Sequence, residues 1–234
     1  MAGNLYVVAT PIGNLEDLSF RALRVLRQVE AIACEDTRQT IKLLSRYKIK
    51  KRLISYFQPK EGQKIPQIIR LLEEGKDVAL VSDSGTPGIS DPGFRLIREA
   101  ISRELKVIPI PGPSALTAAL CAAGLPTHRF LFSGFPPAKK ERTKKLLKSL
   151  RDEEGTIIFY LPPRKLAEFL EAVEEILGNR SSVLARELTK MHEEFIRADV
   201  RTLREKLGRI VLKGEFTLLI CGKSRKNDNP VFLD

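Results

Sequence analysis

Val78 to Leu96 reads VALVSDSGTPGISDPGFRL. Four apolar residues, Val78 to Val81, suit a strand buried on both faces, and Phe94 opens an amphipathic helix. Between them lie three glycines, two prolines, three serines and two aspartates. Gly85, Gly88 and Gly93 admit positive φ and a close approach of ligand to main chain, while Pro87 and Pro92 stiffen the turns. A long, rigid, backbone-rich connection at the carboxyl end of a buried strand is where an open α/β sheet binds a small molecule.

Outward from this stretch, strand and helix alternate. Strands are expected at 5–10, 29–34, 53–57, 77–82 and 106–110, and helices at 17–28, 38–47, 64–74 and 94–103. Glu16 and Asp17 are expected at the positive end of the first helix. Pro111-Gly112-Pro113 marks a change of domain, so residues 1–112 read as an α/β domain with a mostly parallel sheet. Residues 113–222 read as a second α/β domain with a mixed sheet. Helices are expected there at 114–123, 139–151, 164–177 and 203–208, and strands at 130–133, 156–161, 182–187, 195–200 and 216–221. Short links between the last strands imply antiparallel pairing. Residues 223–234 form a polar tail.

Several chemistries find little support. Cys34, Cys121 and Cys221 are far apart and embedded in apolar sequence, so buried reduced thiols are expected, not disulfides or zinc ligands. His128 and His192 have no metal-binding or triad setting, so no metal is expected. No run reaches the ~18 apolar residues of a membrane span and the N-terminus lacks a basic start, so the expected compartment is the cytoplasm. A GxGxxG fingerprint would follow the first strand of a dinucleotide fold, but residues 9–18 hold Gly13 alone. Glu35 and Asp36, about 20 residues further on, keep a ribose-binding reading open beside a simple helix-capping one.

The charge is unusual: 40 Lys and Arg against 29 Asp and Glu give +11. A basic excess of this size suits phosphate backbones, although abundant Lys and Glu also mark proteins of hot environments. Residues 136–151 concentrate Lys139, Lys140, Lys144 and Lys145 on a helix whose Leu146, Leu147 and Leu150 would face a core. A second cluster spans Arg46 to Arg52.

Three loops carry the most informative residues: Ala9 to Leu15, Ser82 to Gly93, and Pro109 to Ala115. In a parallel sheet all three lie on one edge. With ACEDTR, SGFPP, FYLPPRKL, RELTKMHEE and GEFTLLICG they occur in an order that resembles the ribosomal RNA methylating members of the tetrapyrrole methylase family. The resemblance spans residues 9 to 222. It implies a class III methyltransferase of two α/β domains, usually a homodimer, binding S-adenosylmethionine in the cleft between them and methylating a cytidine 2′-hydroxyl of small-subunit ribosomal RNA. By motif, the cofactor residues are Pro11, then Ser84, Gly85, Thr86 and Ile89, then Ser114 and Ala115, with Leu161 and Leu188 from the second domain.

A sulfonium methyl is already activated, so the protein's part is to align a hydroxyl and help it lose a proton. Glu35, Asp36, Glu187 and Lys190 are the catalytic candidates. Asp83 and Asp91 read better as acceptors for loop N–H groups, and an ion pair with Arg186 is the alternative reading of Glu187. Asn14 and Arg38 are candidate RNA contacts with the four lysines, and Tyr56 and Phe135 candidate base-stacking rings. The rival readings are a methyltransferase of tetrapyrroles or other small acceptors, and a non-catalytic RNA-binding assembly factor.

Overall fold

The computed structural model describes residues 1–58 and 61–223. The expected tail therefore lies, beyond Lys223, outside the described residues. The chain divides into two compact units, Met1–Ser114 and the part from Ala115 onward.

The first unit runs β1 (Leu5–Val8), α1 (Phe20–Gln28), β2 (Ala31–Cys34), α2 (Thr37–Arg46), β3 (Arg52–Ser55), α3 (Glu61–Glu73), β4 (Val78–Val81), α4 (Phe94–Ser102) and β5 (Val107–Ile110). The sheet order is β3-β2-β4-β1-β5 and every pairing is parallel. Helices cover both faces, which is why β2 and β4 are apolar and buried at each position. Ile32, Cys34, Ala79, Val81 and Val8 share one core with α1 and α2, whereas Ala31, Ala33, Val78 and Leu80 share another with α3 and α4.

The first helix begins three residues later than expected. Asn14 accepts the Glu16 N–H and closes a separate 3-10 turn, Leu15–Asp17, so the two acids decorate that turn. Ser19, extended and accepting from Ala22 N–H at 3.1 Å, is the true cap of α1.

The second unit contains α5 (Ala115–Ala123), β6 (Phe130–Gly134), α6 (Lys140–Ser149), β7 (Thr156–Leu161), α7 (Leu166–Leu177), β8 (Ser181–Arg186), β9 (Glu194–Asp199), α8 (Val200–Glu205) and β10 (Phe216–Ile220). Its order is β6-β7-β10-β8-β9, with β6 parallel to β7 and the other pairs antiparallel. The short link does pair β8 with β9, but β10 inserts between β7 and β8 instead of following β9. Burial decides this: β10 is enclosed at all five positions and needs neighbours on both sides, while β9 is half exposed and forms an edge. The last helix starts at Val200, not 203, because Asp199 caps it by accepting Thr202 N–H at 2.9 Å.

The cysteines correct the expectation of uniform burial. Cys34 is buried, Cys221 half-buried and Cys121 exposed, and among the described residues none forms a disulfide. Among the described residues no group of three or more His, Cys, Asp or Glu is placed to hold a metal ion, and no helix is long and apolar enough to cross a membrane.

Candidate active site

Because β4, β1 and β5 are adjacent and parallel, the loops that leave their carboxyl ends lie side by side. Backbone hydrogen bonds sew them together. Thr10 and Gly85 exchange both N–H bonds, at 2.8 and 3.0 Å, and Ala9 N–H donates to Ile110 O at 3.2 Å. The Thr10 hydroxyl donates to Ser82 O at 3.1 Å, and the Thr86 hydroxyl to Pro113 O at 3.2 Å. Gly85 holds φ at 80°, and a Cβ at Gly112 would stand 3.1 Å from that of Ala9. Pro11 and Gly85 are buried within this lattice, Thr86, Ser114 and Ala115 half-buried, and Ser84 and Ile89 exposed on it. The rim is rigid, and it presents main chain and small side chains.

Its electrostatics are one-sided. Residues 9–17, 82–93 and 109–119 contain no Lys or Arg. Beside them, the loop after β2 brings Glu35 and Asp36 to Asp83, whose carboxylate accepts Asp36 N–H at 2.9 Å. Asp36 itself caps α2 through Arg38 N–H at 2.8 Å and grips the Arg38 guanidinium at 2.7 Å. Those bonds pull its pKa down to about 2, which makes it a poor proton acceptor. Glu35 is shifted the other way, by burial first and then by Asp83 and Asp36. Asp91 is raised to about 6, chiefly by burial and then by the charge of Glu35, against a hydrogen bond from Ser82. Asp83 thus acts as the expected loop acceptor, while Asp91 is a carboxylate poised near neutrality.

This rim suits a sulfonium donor. Cationic sulfur gains from nearby carboxylates, and adenosine and methionine parts can be held by backbone groups in tight loops. A dinucleotide would bring a pyrophosphate to loops that carry no Lys or Arg and no glycine-rich helix start to receive it.

The second sheet has its own loop edge. Phe216 of β10 lies opposite both Leu161 of β7 and Arg186 of β8, so Leu161 and the turn after Arg186 flank one strand end. Leu161 and Leu188 are 2% and 7% exposed, so their side chains belong to the core and not to an open surface. The turn itself is tightly self-bonded. Glu187, at φ 50°, accepts Lys190 Nζ at 2.9 Å and Glu215 N–H at 3.0 Å, and its own N–H donates to Glu215 O at 3.0 Å. Burial pushes the Glu187 pKa up, but Lys190 and the Glu215 N–H outweigh it and the net shift is downward. Lys190 is raised, its desolvation being outweighed by Glu187 and Glu215. The pair holds the turn in shape. Arg186 makes its direct ion pair with Glu194, at 3.7 Å, and donates to the Lys213 carbonyl at 3.3 Å, so its charge acts on Glu187 only at longer range.

The candidate RNA contacts differ in availability. Lys139, Lys140 and Lys145 are exposed, but Lys144 is bound to Glu175 at 2.8 Å, and α7, packed on α6, carries Glu168, Glu171, Glu174 and Glu175. Arg38 is exposed while paired to Asp36, and Asn14 is exposed while capping. Phe135 is 57% exposed and meets the Tyr160 ring edge-on at 5.6 Å. Tyr56 is 1% exposed in the core of the first unit and is not a stacking surface. Sequence reasoning passed over Arg21, Arg24 and Arg27 of α1, whose signal was three arginines at a spacing of three around a buried apolar stripe.

The model of the Tetrapyrrole (Corrin/Porphyrin) Methylases matches residues 4–204. Ribosomal RNA small subunit methyltransferase I of Thermotoga maritima is 45% identical over 221 residues, covering 94% of this chain and 99% of that protein. The protein of the same name from a Hydrogenobaculum species is 48% identical over 220 residues, covering 92% and 94%. A solved cobalamin biosynthetic enzyme, cobalt precorrin-4 methyltransferase, shares the fold with a TM-score of 0.68 at 16% identity, over 93% of this chain and 94% of that one. The chain belongs to the tetrapyrrole methylase family, alongside its ribosomal RNA small subunit methyltransferase I members.

Proposed function

We propose that this protein is a methyltransferase that uses S-adenosylmethionine to methylate small-subunit ribosomal RNA, at the 2′-hydroxyl of a cytidine. The observation that carries the reading is the cation-free rim of three interlocked loops, in a chain 45% identical to a ribosomal RNA methyltransferase. Pro11, Ser84, Gly85, Thr86, Ile89 and Ser114 are the residues that would hold the donor at that rim. Bound there, the donor supplies an electrophilic methyl group on sulfur. Thr10 and Gly85 keep the loops at fixed spacing, which aligns donor and acceptor without reorganisation. Asp91 and Glu35, both raised in pKa by burial first, are the groups this reading favours for accepting the hydroxyl proton. Asp36, Glu187 and Lys190 serve instead to position α2 and the turn after β8.

The net charge of +11 favours an RNA acceptor over a small anionic macrocycle. The resemblance also supports action in the cytoplasm as a homodimer, which sedimentation equilibrium checks. The decisive experiment incubates the protein with small ribosomal subunits lacking the modification and donor labelled in the methyl group, then maps the label. The expected product is one cytidine labelled on its ribose. Label on a base, or no transfer dependent on the donor, overturns the reading.

A further inference from the structure

The outer face of α1 and α2 is a basic surface that the proposed chemistry does not use. Neither helix contains a single Asp or Glu. Both cover the same side of the first sheet, and Arg27 of α1 reaches the Tyr47 carbonyl at the end of α2. On α1, Ala22, Val25 and Leu26 are buried, and Phe20, Arg24 and Arg27 recur at i, i+4 and i+7 on the opposite side. On α2, Thr40, Leu43 and Leu44 are buried, and Arg38, Lys42 and Arg46 follow one another every four residues outside. Among the described residues, Arg24, Lys42 and Arg46 form no ion pair. The chain then continues through exposed Lys48 and Lys50 to Arg52. Cations thus recur about 4.5 Å apart along α1 and about 6 Å apart along α2, on helices that contain no acid, and among the described residues only Arg38, at the start of α2, is paired, with the capping Asp36.

The face is also joined to the donor rim. Phe20 follows within five residues of the 3-10 turn in the loop after β1, and the Tyr47 hydroxyl donates to the Leu15 carbonyl in that turn. Phe20 is 93% exposed at this end of the surface. By contrast, the lysines of α6 face an acidic α7, and Lys144 is already neutralised.

We infer that the α1/α2 face binds the phosphate backbone of the RNA acceptor, with Phe20 stacking on an unpaired base where the surface meets the rim. The inference rests on the proposed reading, because it takes the acceptor to be RNA. Exposed cations without acidic neighbours gain most from displacing the counterions of a polyanion, and an exposed ring beside them is the usual platform for a splayed base.

The test measures binding of a small-subunit ribosomal RNA transcript to the full chain across a salt series by fluorescence anisotropy, beside S-adenosylmethionine affinity by calorimetry. The triple variant Arg24→Gln/Lys42→Gln/Arg46→Gln is expected to weaken RNA binding roughly tenfold or more and to take about 3 units from the salt slope, with donor affinity unchanged. If the triple variant does not fold, as judged by circular dichroism, the three single variants carry the same comparison at about one unit each. Wild-type RNA affinity and slope in these variants overturn the inference and leave the face to a partner of another kind, whatever the enzyme methylates. Wild-type protein that binds the transcript through this face but transfers no methyl group to small ribosomal subunits lacking the modification sinks the catalytic reading alone. Phe20→Ala is expected to weaken single-stranded RNA about tenfold with the slope unchanged, and an unchanged affinity removes the stacking role.

Discussion

The loop rim of the first sheet and the helix face beside it are made from neighbouring stretches of one unit, yet they are built on opposite principles. The rim carries no Lys or Arg and is held by main-chain bonds between Thr10, Gly85, Ala9 and Ile110, with carboxylates at its border. The α1 and α2 helices contain no carboxylate of their own, Asp36 standing only at the cap of α2, and their outer face depends on exposed side chains. On the proposed reading, the difference teaches that a small cationic donor and a long polyanion call for separate devices: backbone shape for the first, summed charge for the second. A mutation in one region should therefore leave the function of the other intact.

The largest expected effect is at the rim. Gly85→Val places a branched side chain at φ 80°, where a Cβ would already stand 3.4 Å from Ile12. Left-handed strain and loss of the bridge to Thr10 together should weaken S-adenosylmethionine binding about a hundredfold by calorimetry, with RNA affinity unchanged. Retained donor binding would show that the rim is not the donor site.

Next comes Asp91→Asn, expected to lower the rate of methyl transfer at pH 7.5 about tenfold. In the wild type the rate should rise as pH passes through about 6, where Asp91 loses its proton, and the variant should lack that rise. Folding raises the Asp91 pKa, so its contribution to stability is complete below about 4 and is lost as pH rises through about 6. The variant should accordingly melt at a higher temperature than wild type at pH 7, by scanning calorimetry. A wild-type rate that is flat from pH 5 to 7 removes Asp91 from the proton-accepting role.

A smaller change tests the two basic surfaces against each other. Lys140→Gln/Lys145→Gln on α6 should weaken RNA binding only about threefold, since acidic α7 already offsets this helix. A loss equal to that of the α1/α2 triple would erase the distinction between them.

The smallest effect is expected at the second sheet. Glu187→Ala leaves Glu215 N–H without its carboxylate and should cost about 1–2 kcal/mol in urea unfolding, with the rate per folded molecule unchanged. A large drop in rate without loss of stability would instead make Glu187 part of the chemistry.

Much of this was legible along the chain because it depends on local pattern. Continuous apolar runs such as Ala31–Cys34 and Val78–Val81 announce strands covered on both faces, and glycine and proline after them announce a loop built to approach a ligand. Caps were harder to place: Ser19 and Asp199 became visible as caps only when their side chains were seen to accept from Ala22 and Thr202.

By itself the sequence determined the alternation of elements, the rim loops and the excess of positive charge, since each follows from composition or from periods of two and 3.6 residues. Tertiary structure decided where β10 enters the second sheet, because burial from both sides is a property of neighbours far apart in the chain. It also decided which charged groups remain available. Asp36 and Asp91 are the same residue type, yet one is drawn to about 2 by Arg38 and the other raised to about 6 by burial. A charge acquires its chemistry from what surrounds it, and folding alone supplies those surroundings.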